Sequence, residues 1–118
     1  MSRTPPAPDL RRPLSPAVLY LLLSLADGPR HGYAIKQEAE ARSDGRVRLG
    51  PGTLYAAIQR LLDAGLARET AVASAPANGQ EAQRRYYELT ERGRRLLRDE
   101  VADLAHLVEY ARTKPRLA

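Results

Sequence analysis

Residues 49–66 read Leu49-Gly50-Pro51-Gly52-Thr53-Leu54-Tyr55-Ala56-Ala57-Ile58-Gln59-Arg60-Leu61-Leu62-Asp63-Ala64-Gly65-Leu66, and two patterns run through them at once. Leu54, Ile58, Leu61 and Leu62 fall at i, i+4, i+7 and i+8, which on an α-helix is one apolar stripe with Ala57 at its margin. The opposite side presents Thr53, Tyr55, Ala56, Gln59, Arg60 and Asp63. Pro51 suits a first helical position and Gly65 a helix end. The stretch therefore predicts a helix that is anchored by one face and addresses a ligand with the other.

Upstream, Ser15-Pro16 reads as an N-cap followed by a tolerated proline, and the run from Ala17 to Ala26 is apolar around nearly the whole helical circumference. Such a helix is expected to be buried on more than one side and to stop at Asp27-Gly28-Pro29. A second, amphipathic helix follows over roughly Gly32–Arg42, with Tyr33, Ile35 and Ala39 set among Lys36, Gln37, Glu38 and Glu40; Ser43-Asp44-Gly45 ends it. Arg46-Val47-Arg48-Leu49 alternates with period two and predicts a very short strand.

Downstream, residues 66–73 lead into a loop rich in Pro, Asn and Gly, and Arg84-Arg85-Tyr86-Tyr87-Glu88-Leu89 returns as a strand, a hairpin with a long tip. Thr90 is a good N-cap with Glu91 in the first turn. The last helix, about Glu91 to Arg112, would be roughly 33 Å long at 1.5 Å per residue. Along it Leu97, Val101, Leu104, Val108 and Ala111 step by four, three, four and three, the seam of a coiled coil. The remaining apolar residues are too few to cover such a stripe, so a second copy of the chain is the expected cover.

The chain has 118 residues, enough for one modest core, with 19 Lys plus Arg against 14 Asp plus Glu and a formal net charge of +5. Its sequence pI of about 10.0 favours an anionic partner. It has no cysteine, which excludes disulfides and thiolate metal sites and suits a reducing cytoplasm. No apolar run reaches a membrane-spanning length, and the proline-rich start lacks the apolar centre of a signal peptide. The organisation read from the elements is a flexible basic arm over 1–13, a compact domain over 14–90 whose DNA-binding role follows from the order of its elements, a dimerisation helix over 91–112 and a disordered tail over 113–118.

Three short helices, a minimal strand, a hairpin and a long last helix make a fold that is mostly α with a small β-wing: a winged helix-turn-helix plus a C-terminal dimerisation helix. A major groove about 12 Å wide admits one such helix, its outward side chains meeting base edges. DNA contact is accordingly expected from Gly52, Thr53, Tyr55, Gln59 and Arg60 on the third helix, from Tyr33 on the second, and from Arg84 and Arg85 on the wing. The Gly50-Pro51-Gly52-Thr53 start is suited to lie beside a phosphate, because a helix N-terminus carries free N–H groups and partial positive charge.

Four pieces in this order, Gly28-Pro29-Arg30-His31-Gly32-Tyr33-Ala34-Ile35, Leu49-Gly50-Pro51-Gly52-Thr53-Leu54-Tyr55, Arg60-Leu61 with Gly65-Leu66, and Arg85-Tyr86-Tyr87-Glu88-Leu89-Thr90-Glu91-Arg92-Gly93, resemble the PadR family of transcriptional regulators over about residues 14–97. The resemblance implies a homodimeric DNA-binding protein, usually a repressor released by a small apolar or aromatic effector, here of the short C-terminal type. The family often has Ser where Gly50 stands, so the third helix lacks its usual side-chain cap. Some relatives sandwich flat drugs between tryptophans; this chain has no tryptophan, and Tyr20 and Tyr110 are the aromatic residues of its first and last helices.

Nothing in the chain suggests an enzyme: there is no cysteine, and the two histidines, His31 in a turn and His106 on the last helix, match no catalytic or metal spacing. No cofactor is expected. The competing function is a winged helix used for protein–protein association, since that fold serves both ends. Constitutive, ligand-free architectural DNA binding is a third.

Overall fold

A computed structural model of the chain describes residues 10–71 and 85–117. The expected arm over residues 1–9, the hairpin tip with Arg84, and residue 118 lie outside the described residues. The order of elements is α1 (Pro16–Ser24), β1 (Arg30–His31), α2 (Gly32–Arg42), α3 (Pro51–Asp63), β2 (Ala67–Thr70), β3 (Tyr86–Leu89) and α4 (Glu91–Arg112), with a 3-10 turn at Pro115–Leu117.

Each helix begins where local chemistry allows it. The Ser15 side chain accepts the Val18 N–H at the start of α1, and His31 Nδ1 accepts the Ala34 N–H at 3.1 Å at the start of α2. Asp44 and Gly45, both with positive φ, turn the chain out of α2, a conformation that Gly and Asp tolerate best.

Residues 46–49 do not form the expected strand. The buried Ser43 hydroxyl accepts the Val47 N–H at 2.9 Å and bends the chain so that Val47 enters the core. The third strand comes instead from Arg30–His31, which pair antiparallel with Tyr87 and Tyr86. The sheet order is β1-β3-β2, with Ala67 opposite Leu89 and Thr70 opposite Tyr86.

The core gathers Val18, Leu21, Leu22 and Leu25 around Ile35, Leu54, Ile58, Leu61, Leu66, Leu89 and Leu97. Burial of α1 stops short of complete encirclement, since Leu23 is 44% exposed.

Two joints fix α4. The Thr90 hydroxyl donates to the Gly65 carbonyl at 2.6 Å and accepts the Gly93 N–H at 3.0 Å. The Thr90 N–H donates to the Leu66 carbonyl at 3.1 Å. Gly93 is pressed onto that same carbonyl so closely that any Cβ would overlap its oxygen.

The second joint involves the end of the segment expected to be an arm, residues 10–13, and the start of the domain. Arg12 Nε donates to Glu100 Oε1 at 2.7 Å, and the Leu14 N–H donates to Glu100 Oε2 at 2.6 Å. Arg12 also reaches Asp103, and Leu10 packs against the core. Glu100 is 3% exposed and its partners supply the hydrogen bonds that a buried carboxylate requires. After α4 the chain winds into the turn at Pro115–Leu117, and the Lys114 ammonium lies 4.5 Å from the Tyr110 ring centroid.

Candidate nucleic-acid interface

The two faces of α3 separate cleanly. Leu54, Ala57, Ile58 and Leu61 are buried, while Leu62 is only half-buried. Ala57 therefore occupies the contact line and Leu62 its margin, the reverse of the assignment from spacing. A small residue at the centre lets α3 lie close to the core. Tyr55, Gln59, Arg60 and Asp63 are exposed on the other side, and Thr53 and Ala56 are half-buried between the faces.

The start of α3 carries no side-chain cap, because Gly50 has nothing to offer. Gly52 is exposed in this first turn. Backbone N–H groups of an uncapped first turn are open to an external acceptor, and the helix dipole favours an anionic one.

Tyr55 and Tyr33 bring the second helix into the same surface. They are 55% and 57% exposed, although packing alone would hide rings of that size. A Cβ at Gly32 would lie 3.2 Å from Tyr55 Cε1 and from its hydroxyl, so the absent side chain at the start of α2 makes room for the ring. The phenol thus has a fixed seat and an open edge.

Two residues expected to read bases differ in readiness. Arg60 makes no hydrogen bond or ion pair among the described residues and projects from the last turn of α3. Gln59 Nε2 donates to Asp63 Oδ1 at 2.9 Å, one turn along the same exposed face. A base would have to replace that contact.

At the wing, charge is paired across the strands. Arg68 Nε meets Glu88 Oε1 at 2.8 Å, and Arg85 meets Glu69 Oε1 at 3.5 Å. Side chains alternate across the sheet, so Glu69, Tyr87 and Arg85 share its core-facing side while Arg68, Tyr86 and Glu88 share the other. Tyr87 is buried, and burial pushes its hydroxyl above the ordinary tyrosine value; the Glu69 carboxylate adds to the shift and Arg85 opposes it. At the base of the wing the His31 and Tyr86 rings meet edge to face at 5.5 Å between centroids. His31, expected in a turn, is instead the N-cap of α2. Its place directly before Gly32-Tyr33-Ala34 was the available sign of a helix cap.

The residues assigned to dimerisation do not all stand alike. Val101, Leu104 and Val108 are 43%, 40% and 47% exposed, joined by Leu107 and Tyr110 at 58% and 60%. Ala111 is half-buried. Leu97, by contrast, is 6% exposed and belongs to the chain's own core. The exposed part of the heptad-spaced stripe thus starts one turn after Leu97.

Two grooves flank the end of α1. One of about 390 Å³ is lined by Tyr20, Leu23, Ser24, Asp27, Glu38 and Arg42, between α1 and α2. The other, of about 370 Å³, lies between Ala26 and the first turns of α4, with Glu91, Arg94, Leu97 and Arg98. Among the described residues no group of acidic or histidine side chains could hold a metal ion, and no helix is long and apolar enough to cross a membrane.

Known proteins share this arrangement. The family model described as "Transcriptional regulator PadR-like family" matches residues 21–99. The chain is 40% identical over 91 residues to an uncharacterised 37.1 kDa transposon protein of Streptomyces fradiae, a match covering 77% of this chain and 24% of that protein. The chain thus spans about a quarter of the length of that curated relative. A PadR family transcription regulator from Clostridium difficile superposes with a TM-score of 0.67 at 20% identity, covering 84% of this chain and 97% of the other. One from Eggerthella lenta gives a TM-score of 0.59 at 28% identity, over 81% and 78% of the two chains. The helix α3, the antiparallel wing and the first turns of α4 lie within the matched region, and the chain belongs to the PadR-like family of transcriptional regulators.

Proposed function

We propose that two copies of the chain bind one pseudo-palindromic duplex and repress transcription from it until a small apolar or aromatic molecule releases them. The observation that carries the reading is the exposed side of α3, where Tyr55, Gln59 and Arg60 stand beside an uncapped helix start. Arg60 and Gln59 carry hydrogen-bonding heads suited to base edges; Gly52, Thr53, Tyr55, Tyr33 and the wing arginines suit phosphates. Pairing of the exposed Val101–Val108 stripe with a second copy supplies the two-fold symmetry. Two-fold symmetry sets the half-sites about 10 bp apart, or at a multiple of that spacing. The grooves beside Tyr20 and Ala26 are candidate places for the effector.

The test is selection of bound duplexes from a random pool, followed by titration of the selected and a scrambled duplex across a salt series. Arg60→Ala is expected to cost about 1–3 kcal/mol on the selected duplex and to relax preference at one position per half-site. Equal binding of both duplexes by the unaltered protein would end the sequence-specific reading. Binding to neither at low salt would put protein–protein association in its place.

A further inference from the structure

We propose that Glu69 restrains the wing: it holds Arg85 away from the DNA backbone in the free protein and so sets the affinity of the whole regulator. The inference rests on the DNA-binding reading above and adds a residue that no reading helix contains.

The geometry comes from the ladder. Glu69 stands directly opposite Tyr87, and Arg85 lies two residues before Tyr87 on the same strand, so the three side chains share the core-facing side of the sheet that carries the buried Tyr87. The Glu69 carboxylate sits 3.5 Å from the Arg85 guanidinium, and the two side chains are 50% and 75% exposed. Both groups are thus wet, at the outer end of the side that carries the buried Tyr87. The wing's other ion pair, Arg68 with Glu88, lies on the opposite side of the sheet, while Arg85 meets Glu69 and also the Tyr87 hydroxyl on the core-facing side.

An exposed pair at this distance contributes little to folding. Its consequence lies in binding. A phosphate that takes Arg85 must displace Glu69, and the carboxylate left behind then stands unpaired beside a polyanion. Both effects oppose association without touching a base, so they lower affinity for every sequence alike.

A double-mutant cycle on the 118-residue chain tests this, with Glu69→Gln, Arg85→Ala and the double variant titrated against selected and scrambled duplexes across a salt series. Both side chains are exposed, and thermal melts verify that each variant folds. Glu69→Gln is expected to tighten binding to both duplexes by about two- to fivefold per wing, the range that release of an exposed pair corresponds to. Arg85→Ala is expected to weaken the Glu69→Gln protein more than it weakens the unaltered one. Tightening by Glu69→Gln of the same size with and without Arg85 would show a charge acting through space alone and would overturn the restraint. No tightening would overturn it as well. If the unaltered protein binds no duplex, that result removes the DNA-binding reading itself; binding with unchanged affinity in Glu69→Gln removes only the restraint.

Discussion

The two halves of the last helix share one apolar face and meet different fates. At 100° per residue Gly93, Leu97, Glu100, Val101, Leu104, Val108 and Ala111 fall within one face of a single helix. The first three are buried against the chain's own domain. From Val101 to Tyr110 every residue is exposed. The domain ends under a helix that keeps going. Apolar periodicity marks a face that needs cover, and it does not say who supplies the cover. The exposed part of the stripe starts where the chain's own core runs out.

The hardest way to break the first half is at Gly93, where α4 crosses the start of β2. A Cβ there overlaps the Leu66 carbonyl oxygen, which is backbone and itself accepts the Thr90 N–H. Neither partner can rotate away. Gly93→Ala is expected to exceed the about 1–3 kcal/mol typical of overpacking and to remove most of the folded population, read by circular dichroism and urea titration. A variant that melts within a degree or two of the unaltered protein would show that α4 can slide on the sheet.

A matched pair of leucines compares the halves directly. Leu97→Ala empties a buried site and is expected to cost about 2–5 kcal/mol of protomer stability, whatever the protein concentration. Leu104→Ala removes the same atoms from a side chain that is 40% exposed in one chain. Its cost is expected in assembly: weaker self-association by ultracentrifugation, and a melting temperature that falls mainly at low concentration. Equal, concentration-independent losses at both positions would refute the division of the helix.

How much of this could be read from residues alone follows the same division. Helices α2 and α3 announce themselves, because Gly45 and Gly65 with positive φ mark their ends, Pro51 marks the start of α3, and spacing marks its buried side. The shift of its contact line onto Ala57 was not legible, since spacing cannot weigh a small side chain against a large one. Strand β1 escaped notice because two residues carry no periodicity; its pairing with Tyr86 and Tyr87 is long-range. Of the site, exposure of Tyr55, Gln59 and Arg60 followed from the period of α3. The engagement of Gln59 by Asp63 and of Arg85 by Glu69 depends on rotamers and on register, which sequence leaves open. Glu100 was passed over because the count along α4 looked for apolar residues. A charge three residues after Leu97, on the inward face, was the overlooked sign of a buried pair.

That pair sits at the boundary between the halves and gives the smallest of the three expected effects. Glu100 holds Arg12 and the Leu14 N–H, which tie the segment before α1 to the middle of α4. The Arg12 hydrogen bond, and after it the Leu14 N–H, hold the Glu100 carboxyl below the ordinary glutamate value, against the effect of burial. A carboxylate depressed on folding stabilises the protein above its unfolded value, about 4.3, and the contribution disappears as pH falls through the lower folded value. Glu100→Gln keeps an acceptor for Leu14 and loses the charge that holds Arg12. It is expected to lower the melting temperature by a few degrees and to speed amide exchange at Leu14, with the last turns of α4 unaffected. The difference from the unaltered protein should stay constant from neutral pH down to about 5 and close progressively below about 4. A gap that persists unchanged in stronger acid would mean that Glu100 holds the segment by shape rather than by charge, and that the boundary in α4 is set by packing alone.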